Sequence, residues 1–206
     1  MSAPLATDSG RPLRDWSFGL MWVLASAAGI GLGIGATYGL VFLVKALVPG
    51  VNEDTLGGGL IYILLASLLS FFQWLVLRGR IPRSARWFAA TIAGLIIGFV
   101  FVPPVLRVIP ALQGRDAQPL LALLVMIIIG GILGLAQWLI LRRHIRISGL
   151  WVVANVLGWA TASLFIGRSI DKAADMIALA VIPAVWTGLA LVLLWDRPEK
   201  EAPTLT

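Results

Sequence analysis

The sequence predicts an all-α integral membrane protein with six transmembrane helices, built as three repeats of one helical hairpin. Three observations lead to this fold class: long uncharged apolar segments, a one-sided distribution of positive charge, and two signatures that recur along the chain. Of the 206 residues, 59% are hydrophobic and 13% are charged. A typical soluble domain carries about 25% charged residues, so the composition already favours a membrane protein.

Six segments without Asp, Glu, Lys, Arg or His predict the membrane spans. They run over residues 18–44, 56–77, 87–106, 117–141, 148–167 and 176–195. Each approaches or exceeds the roughly 18 to 20 residues with which a helix crosses a bilayer. Because they are continuously apolar rather than alternating, they favour helices over a barrel. We expect a transmembrane domain over residues 18–196 between tails over residues 1–17 and 197–206, with the first helix retained as a signal anchor.

The positive charges lie mostly on one side of the predicted membrane. Eleven fall in the two tails and the second and fourth loops, and five fall in the other loops. The positive-inside rule therefore predicts that both termini are cytoplasmic. This rule also accounts for the net charge of +6, and we expect no binding of nucleic acid, because no basic domain lies outside the spans. Seven tryptophans near the same helix ends are expected to keep their N–H groups in contact with water. They are Trp16, Trp22, Trp74, Trp87, Trp138, Trp151 and Trp195.

Two signatures define the repeat. Residues 73–94 align without gaps with residues 137–158, and ten aligned positions are identical. Each odd-numbered helix begins with W-x-x-A-(S/T/N)-x-x-G, whose Trp, polar residue and Gly share one helical face. The first two even-numbered helices end with Q-W-x-x-L-R. We therefore predict hairpin repeats over residues 18–78, 86–142 and 150–196, related by a pseudo-threefold axis along the membrane normal.

Polar residues and glycines within the spans are predicted to hold the helices together. The polar set consists of Gln73, Gln137, Ser26, Thr91 and Asn155. We expect these side chains to face protein, since an unpaired amide in hydrocarbon costs a few kcal/mol. Gly31, Gly35 and Gly39 recur at intervals of four on the first helix, with Gly29 and Gly33 beside them, and the fourth helix carries Gly130, Gly131 and Gly134. These small residues predict close helix packing.

The repeated units resemble those of small multi-pass bacterial membrane proteins with no known activity. The resemblance covers roughly residues 17–195. It implies the inner membrane of a bacterium and no particular activity. The three-hairpin organisation is also similar to that of mitochondrial carriers. The acidic Pro motif at the ends of their odd-numbered helices is missing here, so the carrier function is not carried over.

The spans lack the side chains that an enzyme needs. They contain no Asp, Glu, His, Lys or Cys, the groups that a buried catalytic or metal site uses. The one histidine, His144, lies in a basic loop. We therefore expect no catalytic residue, no metal and no cofactor.

Two Arg-rich turns, each preceded by a Trp, form the expected binding region for anionic lipid or partner subunits. The residues are Trp74, Arg78, Arg80, Arg83 and Arg86 in the first turn, and Trp138, Arg142, Arg143 and Arg146 in the second. The resulting interpretation is a non-catalytic accessory or scaffold subunit that packs against partner membrane proteins, lipids or pigments. The alternative is a small transporter for an uncharged polar solute, with helices broken at Pro103–Pro104 and at Pro183.

Overall fold

The computed structural model describes residues 11–48, 50–145, 147–165 and 172–195, and these ranges contain helices and no strands. The helices are α1 (Arg11–Leu47), α2 (Glu53–Leu77), α3 (Ala85–Arg107), α4 (Gln118–Leu141), α5 (Gly149–Ser163) and α6 (Lys172–Trp195). Two single 3₁₀ turns, Pro110–Leu112 and Arg115–Ala117, connect α3 to α4. Residues 1–10 and 197–206 of the expected tails lie outside the described residues, as do Arg146 and residue 196, the last of the expected transmembrane domain.

Four helical stretches are long and apolar enough to cross a membrane. They run over Trp16–Leu47, Ala85–Arg107, Arg115–Leu141 and Ile177–Leu194. Two described apolar helices, Tyr62–Leu77 and Gly149–Ser163, are shorter. The second has 15 residues, or about 22 Å of helix against a hydrocarbon core of roughly 30 Å. The expected all-α fold with helices able to span a membrane is confirmed, and the count of six spans stays a prediction.

The six helices form a closed ring. Each packs against its neighbours in the sequence, and α6 packs against α1. α1 approaches α2 closely at Gly29 and Gly33, which we call the inner glycine face. A Cβ at either position would lie 2.7 Å from the Cα of Leu69 or Leu65, respectively. Only glycine allows the two backbones to come so close.

Three further glycines of α1, Gly31, Gly35 and Gly39, form an outer glycine face. All three are exposed. Apart from the backbone of α1 itself, no described atom lies within 4 Å of the position that a Cβ would take. The expectation that these glycines pack the helices of this chain together is wrong, because residues two apart on a helix point about 200° apart. Once the inner face meets α2, the outer face must point away from the ring.

The prolines within the spans do not interrupt the helices. α3 continues through Pro103 and Pro104 as far as Arg107. α6 likewise continues through Pro183. The breaks expected for the transporter alternative are therefore not found in either helix.

Candidate functional site

Three tryptophans from the odd-numbered helices meet at the centre of the ring. Trp22 of α1, Trp87 of α3 and Trp151 of α5, which we call the tryptophan layer, are each 0% exposed. The ring centroids of Trp22 and Trp87 lie 5.7 Å apart, the other two pairs lie 5.4 Å apart, and all three pairs are edge-to-face. Each such pair contributes about 0.5 to 1.5 kcal/mol beyond burial. The expectation that these three indoles contact water at the membrane surface is wrong, because their rings are enclosed by protein.

Two glutamines accept the hydrogen bonds of two of these indoles. Trp87 Nε1 donates to Gln73 Oε1 of α2 at 3.1 Å, and Trp151 Nε1 donates to Gln137 Oε1 of α4 at 2.9 Å. Donor, acceptor and the separation of 14 residues are the same in both bonds. Gln137 Nε2 also donates to Gln73 Oε1 at 3.4 Å. Both glutamines are buried, so their amides are paired within the protein.

Each glutamine also binds the polar residue one turn below the Trp of its own helix pair. Gln73 Nε2 donates to Ser26 Oγ of α1 at 3.2 Å. Gln137 Nε2 donates to Thr91 Oγ1 of α3 at 2.9 Å. Ser26 and Thr91 are both buried. A glutamine of an even-numbered helix therefore connects the odd-numbered helix before it to the one after it.

The third helix pair makes the corresponding bond with a different residue. Trp22 Nε1 donates to Thr187 Oγ1 of α6 at 2.9 Å. The sequence analysis missed Thr187, because the repeat alignment puts Leu191 at the glutamine position, one helical turn later. Asn155, the third member of the polar set in the odd-numbered helices, is buried and donates to the backbone carbonyl of Trp151 at 3.0 Å.

A small cavity lies among these polar groups. It measures about 20 Å³, and its polar lining consists of Ser26, Gln73, Gln137, Asn155 and Thr187. This volume holds about one water molecule, which needs two to four polar partners. The lining provides that number of partners.

The first Arg of each Arg-rich turn lies over the Trp that precedes it. The guanidinium carbon of Arg142 is 5.1 Å from the ring centroid of Trp138, and that of Arg78 is 6.0 Å from Trp74. A cation–π contact of this kind contributes about 0.5 to 1 kcal/mol at an exposed site. Both arginines are therefore held at the ends of their own helices.

Two other arginines of the first turn have distinct surroundings. The guanidinium carbon of Arg80 lies 3.9 Å from the ring centroid of buried Phe18. Arg83 has a φ of 57°, and it is the one non-glycine residue with positive φ in the described part of the chain. This left-handed conformation costs an L-residue about 1 to 2 kcal/mol, and residues strained in this way cluster at active sites and ligand clamps.

An open cavity of about 460 Å³ lies between the two turns. Its lining consists of Pro82, Arg83, Arg86, Leu139, Ile140, Arg143 and His144. The structure thus brings Arg83 and Arg86 of the first turn together with Arg143 of the second turn around one space. Arg78 and Arg142 are not among the lining residues. Every formally charged side chain in the lining is a cation.

We expect replacement of Gln137 by leucine to lower the free energy of unfolding by about 1 to 3 kcal/mol. The variant leaves the buried indole N–H of Trp151 without its acceptor and Thr91 without its donor. Thermal unfolding in detergent measures the loss, at about 2 to 4 °C per kcal/mol for a chain of this size. The control is Gln118→Leu, the same change at an exposed position of α4. Equal melting temperatures for the two variants would contradict this role of Gln137.

No protein-family model, no curated protein and no solved structure matches this chain.

Proposed function

We propose that this chain is a non-catalytic accessory or scaffold subunit of a larger complex in the bacterial inner membrane. It packs there against partner membrane proteins and anionic lipid. Its six helices span the membrane as three repeated hairpins, with both termini in the cytoplasm. The observation that carries the proposal is the outer glycine face of α1.

The hydrogen bonds of the tryptophan layer support the three-hairpin repeat. Gln73 and Gln137 lie at equivalent positions, and each bonds the polar residue of its own hairpin and the Trp of the next. Thr187 of the last hairpin bonds Trp22 of the first. Each hairpin is thus bonded to the next around the three indoles. Parallel repeats about a common axis are expected to produce such a pattern.

The outer glycine face supports a role in assembly. Gly31, Gly35 and Gly39 form a strip without side chains about 12 Å long. It is bordered by Leu32 and Tyr38, which are 53% and 64% exposed. Within lipid, small residues at intervals of four let a second helix approach closely, and packing with weak hydrogen bonds then holds it. A transmembrane helix of a partner fits this face as α2 fits the inner glycine face.

Two structural features favour this proposal over a transporter of an uncharged polar solute. The cavity at the polar centre has a volume of about 20 Å³, enough for one water molecule. Substrate sites near the bilayer midplane are typically built from discontinuous helices, whereas α3 and α6 continue through their prolines.

Leucine at Gly31 and Gly35 together should separate the chain from its partner without unfolding it. The new side chains project into space that is open in this chain, so the melting temperature of the purified variant should stay close to that of the wild type. They also fill the groove into which a partner helix would pack. Native mass spectrometry after gentle detergent extraction should show the wild type with a stoichiometric partner and the variant alone.

Ala89→Leu serves as the matched control, since it adds a side chain at an exposed position of α3 and should leave the complex intact. A wild-type chain that is always extracted alone would contradict the proposal. So would a purified chain that by itself moves an uncharged polar solute across liposomes.

A further inference from the structure

We infer that the cavity between the two Arg-rich turns binds the phosphate group of an anionic lipid. The side chains that bind it are those of Arg83, Arg86 and Arg143, with His144 as a further donor. The inference deepens the proposed function, since it rests on the membrane placement proposed there and assigns the lipid contact to one site. The sequence predicted two Arg-rich patches, whereas the proposed site is a single cavity that uses residues of both turns.

The charge of the cavity favours an anion. Arg83, Arg86 and Arg143 face one space of about 460 Å³, and its lining contains no carboxylate. Three positively charged residues that line one cavity repel each other, and a bound phosphate would offset this repulsion. The planar guanidinium group also donates two parallel hydrogen bonds to phosphate oxygens, which makes arginine the preferred partner of this group.

The backbone of Arg83 gives a second reason to regard the cavity as a binding site. Its φ of 57° lies in the left-handed region, where glycine and asparagine are the usual residues. Glycine would relieve the strain, yet the chain carries the longest cationic side chain there, directly in the lining of the cavity. Residues held in this region cluster at active sites and ligand clamps.

The apolar part of the lining identifies the phosphate as that of a lipid. Leu139 and Ile140 lie in the last turn of α4, one of the helices able to span a membrane. Leu139 is 49% exposed, so the cavity lining includes apolar surface that suits an acyl chain. A volume of about 460 Å³ lies within the range of sites for organic ligands and leaves room for more than a free phosphate ion.

The test is the binding of phosphatidylglycerol to the purified full-length chain in mild detergent, with the first bound lipid quantified by native mass spectrometry. The variant combines Arg83→Gln with Arg143→Gln, one from each turn. We expect its affinity to fall about thirtyfold, which corresponds to about 1 kcal/mol for each of the two arginines. Phosphatidylcholine, a zwitterionic lipid, should bind more weakly to the wild type and respond little to the substitutions.

The matched control combines Arg78→Gln with Arg142→Gln. It removes the same charge from the same two turns, but these side chains lie over Trp74 and Trp138 outside the cavity. Arg78 and Arg142 belong to the basic region expected from the sequence, so their loss should weaken the general attraction of phosphatidylglycerol. Because neither residue lines the cavity, the affinity should fall by clearly less than thirtyfold. Equal losses in both double variants would overturn the site, because a diffuse surface attraction depends only on net charge. If inorganic phosphate displaced the lipid at a comparable concentration, the bound phosphate group would not have to belong to a lipid, and this part of the inference would be wrong.

A second variant, Arg83→Gly, separates binding from folding. Glycine relieves the left-handed backbone, so the variant should melt at or above the temperature of the wild type while its affinity for phosphatidylglycerol falls. A variant that keeps full affinity would remove Arg83 from the site. These lipid-binding measurements use the isolated chain, so a negative result would not bear on the partner complex at the outer glycine face. Conversely, absence of a partner complex would not bear on the lipid site.

Discussion

Replacement of Trp87 by alanine will lower the free energy of unfolding by about 3 to 5 kcal/mol. The side chain is 0% exposed, it contacts Trp22 and Trp151 edge-to-face, and it donates its N–H to Gln73. Its removal opens a cavity at the centre of a closed ring of helices, which cannot collapse without shifting several helices. Thermal unfolding in detergent, followed by far-UV circular dichroism, should show a melting temperature lower by roughly 6 to 20 °C.

Two further variants separate the sources of this loss. Trp87→Phe keeps an aromatic ring between the other two indoles but removes the N–H, and it should cost about 1 to 2 kcal/mol. Trp16→Ala removes an indole that is 58% exposed and should change the stability by less than about 0.5 kcal/mol. If Trp87→Ala melted together with Trp16→Ala, the tryptophan layer would not be the stabilising centre of the bundle.

The helices were predictable because charged residues mark the ends of long apolar segments. The segment expected over residues 87–106 corresponds to α3 (Ala85–Arg107). The recurring W-x-x-A-(S/T/N)-x-x-G pattern also put a Trp, a polar residue and a Gly on one face. In α3 the members of that face, Trp87, Thr91 and Gly94, are all buried. Which residues share a face depends only on the spacing within one helix, so it can be read directly from the sequence.

The sequence predicted less well which neighbouring helix each helical face packs against, because that depends on two helices rather than one. We expected Trp87 at the membrane surface, since Trp near the end of a span usually prefers that position. Gln73, on the neighbouring helix, accepts its hydrogen bond and makes burial possible. Thr187 was missed for the same reason, because a hydroxyl one turn from the repeated position fills the acceptor role when the helices are packed.

The two glycine faces of α1 show the same limit. Glycines recur at intervals of four on both faces, with Gly29 and Gly33 on one and Gly31, Gly35 and Gly39 on the other. Only the inner face also carries buried polar residues, Ser26 and Thr37, and the spacing of the glycines alone does not contain this difference. The pattern therefore predicted close packing without saying which of the faces meets α2. The structure puts Gly29 and Gly33 against α2 and leaves Gly31 and Gly35 open, and this difference can be measured.

Alanine at both positions of the inner glycine face will destabilise the isolated chain by about 2 to 6 kcal/mol, taking about 1 to 3 kcal/mol for each overpacked site. A Cβ at Gly29 or Gly33 would lie 2.7 Å from a Cα atom of α2. Because the neighbouring atom is backbone, no side-chain rotation relieves the contact, and α1 and α2 must move apart. Chemical unfolding of the purified chain in mixed micelles measures the difference from the wild type.

The matched control is Gly31→Ala with Gly35→Ala, two residues further along the same helix. Both pairs gain the same helix propensity, up to about 1 kcal/mol per residue, and both add two methyl groups to the same apolar segment. They differ in what the methyl group meets, which is the backbone of α2 in one pair and open space in the other. The outer pair should therefore be as stable as the wild type or more stable. If both pairs changed stability in the same direction by the same amount, α2 would not lie against the inner glycine face, and the ring would be assembled differently from the arrangement described here.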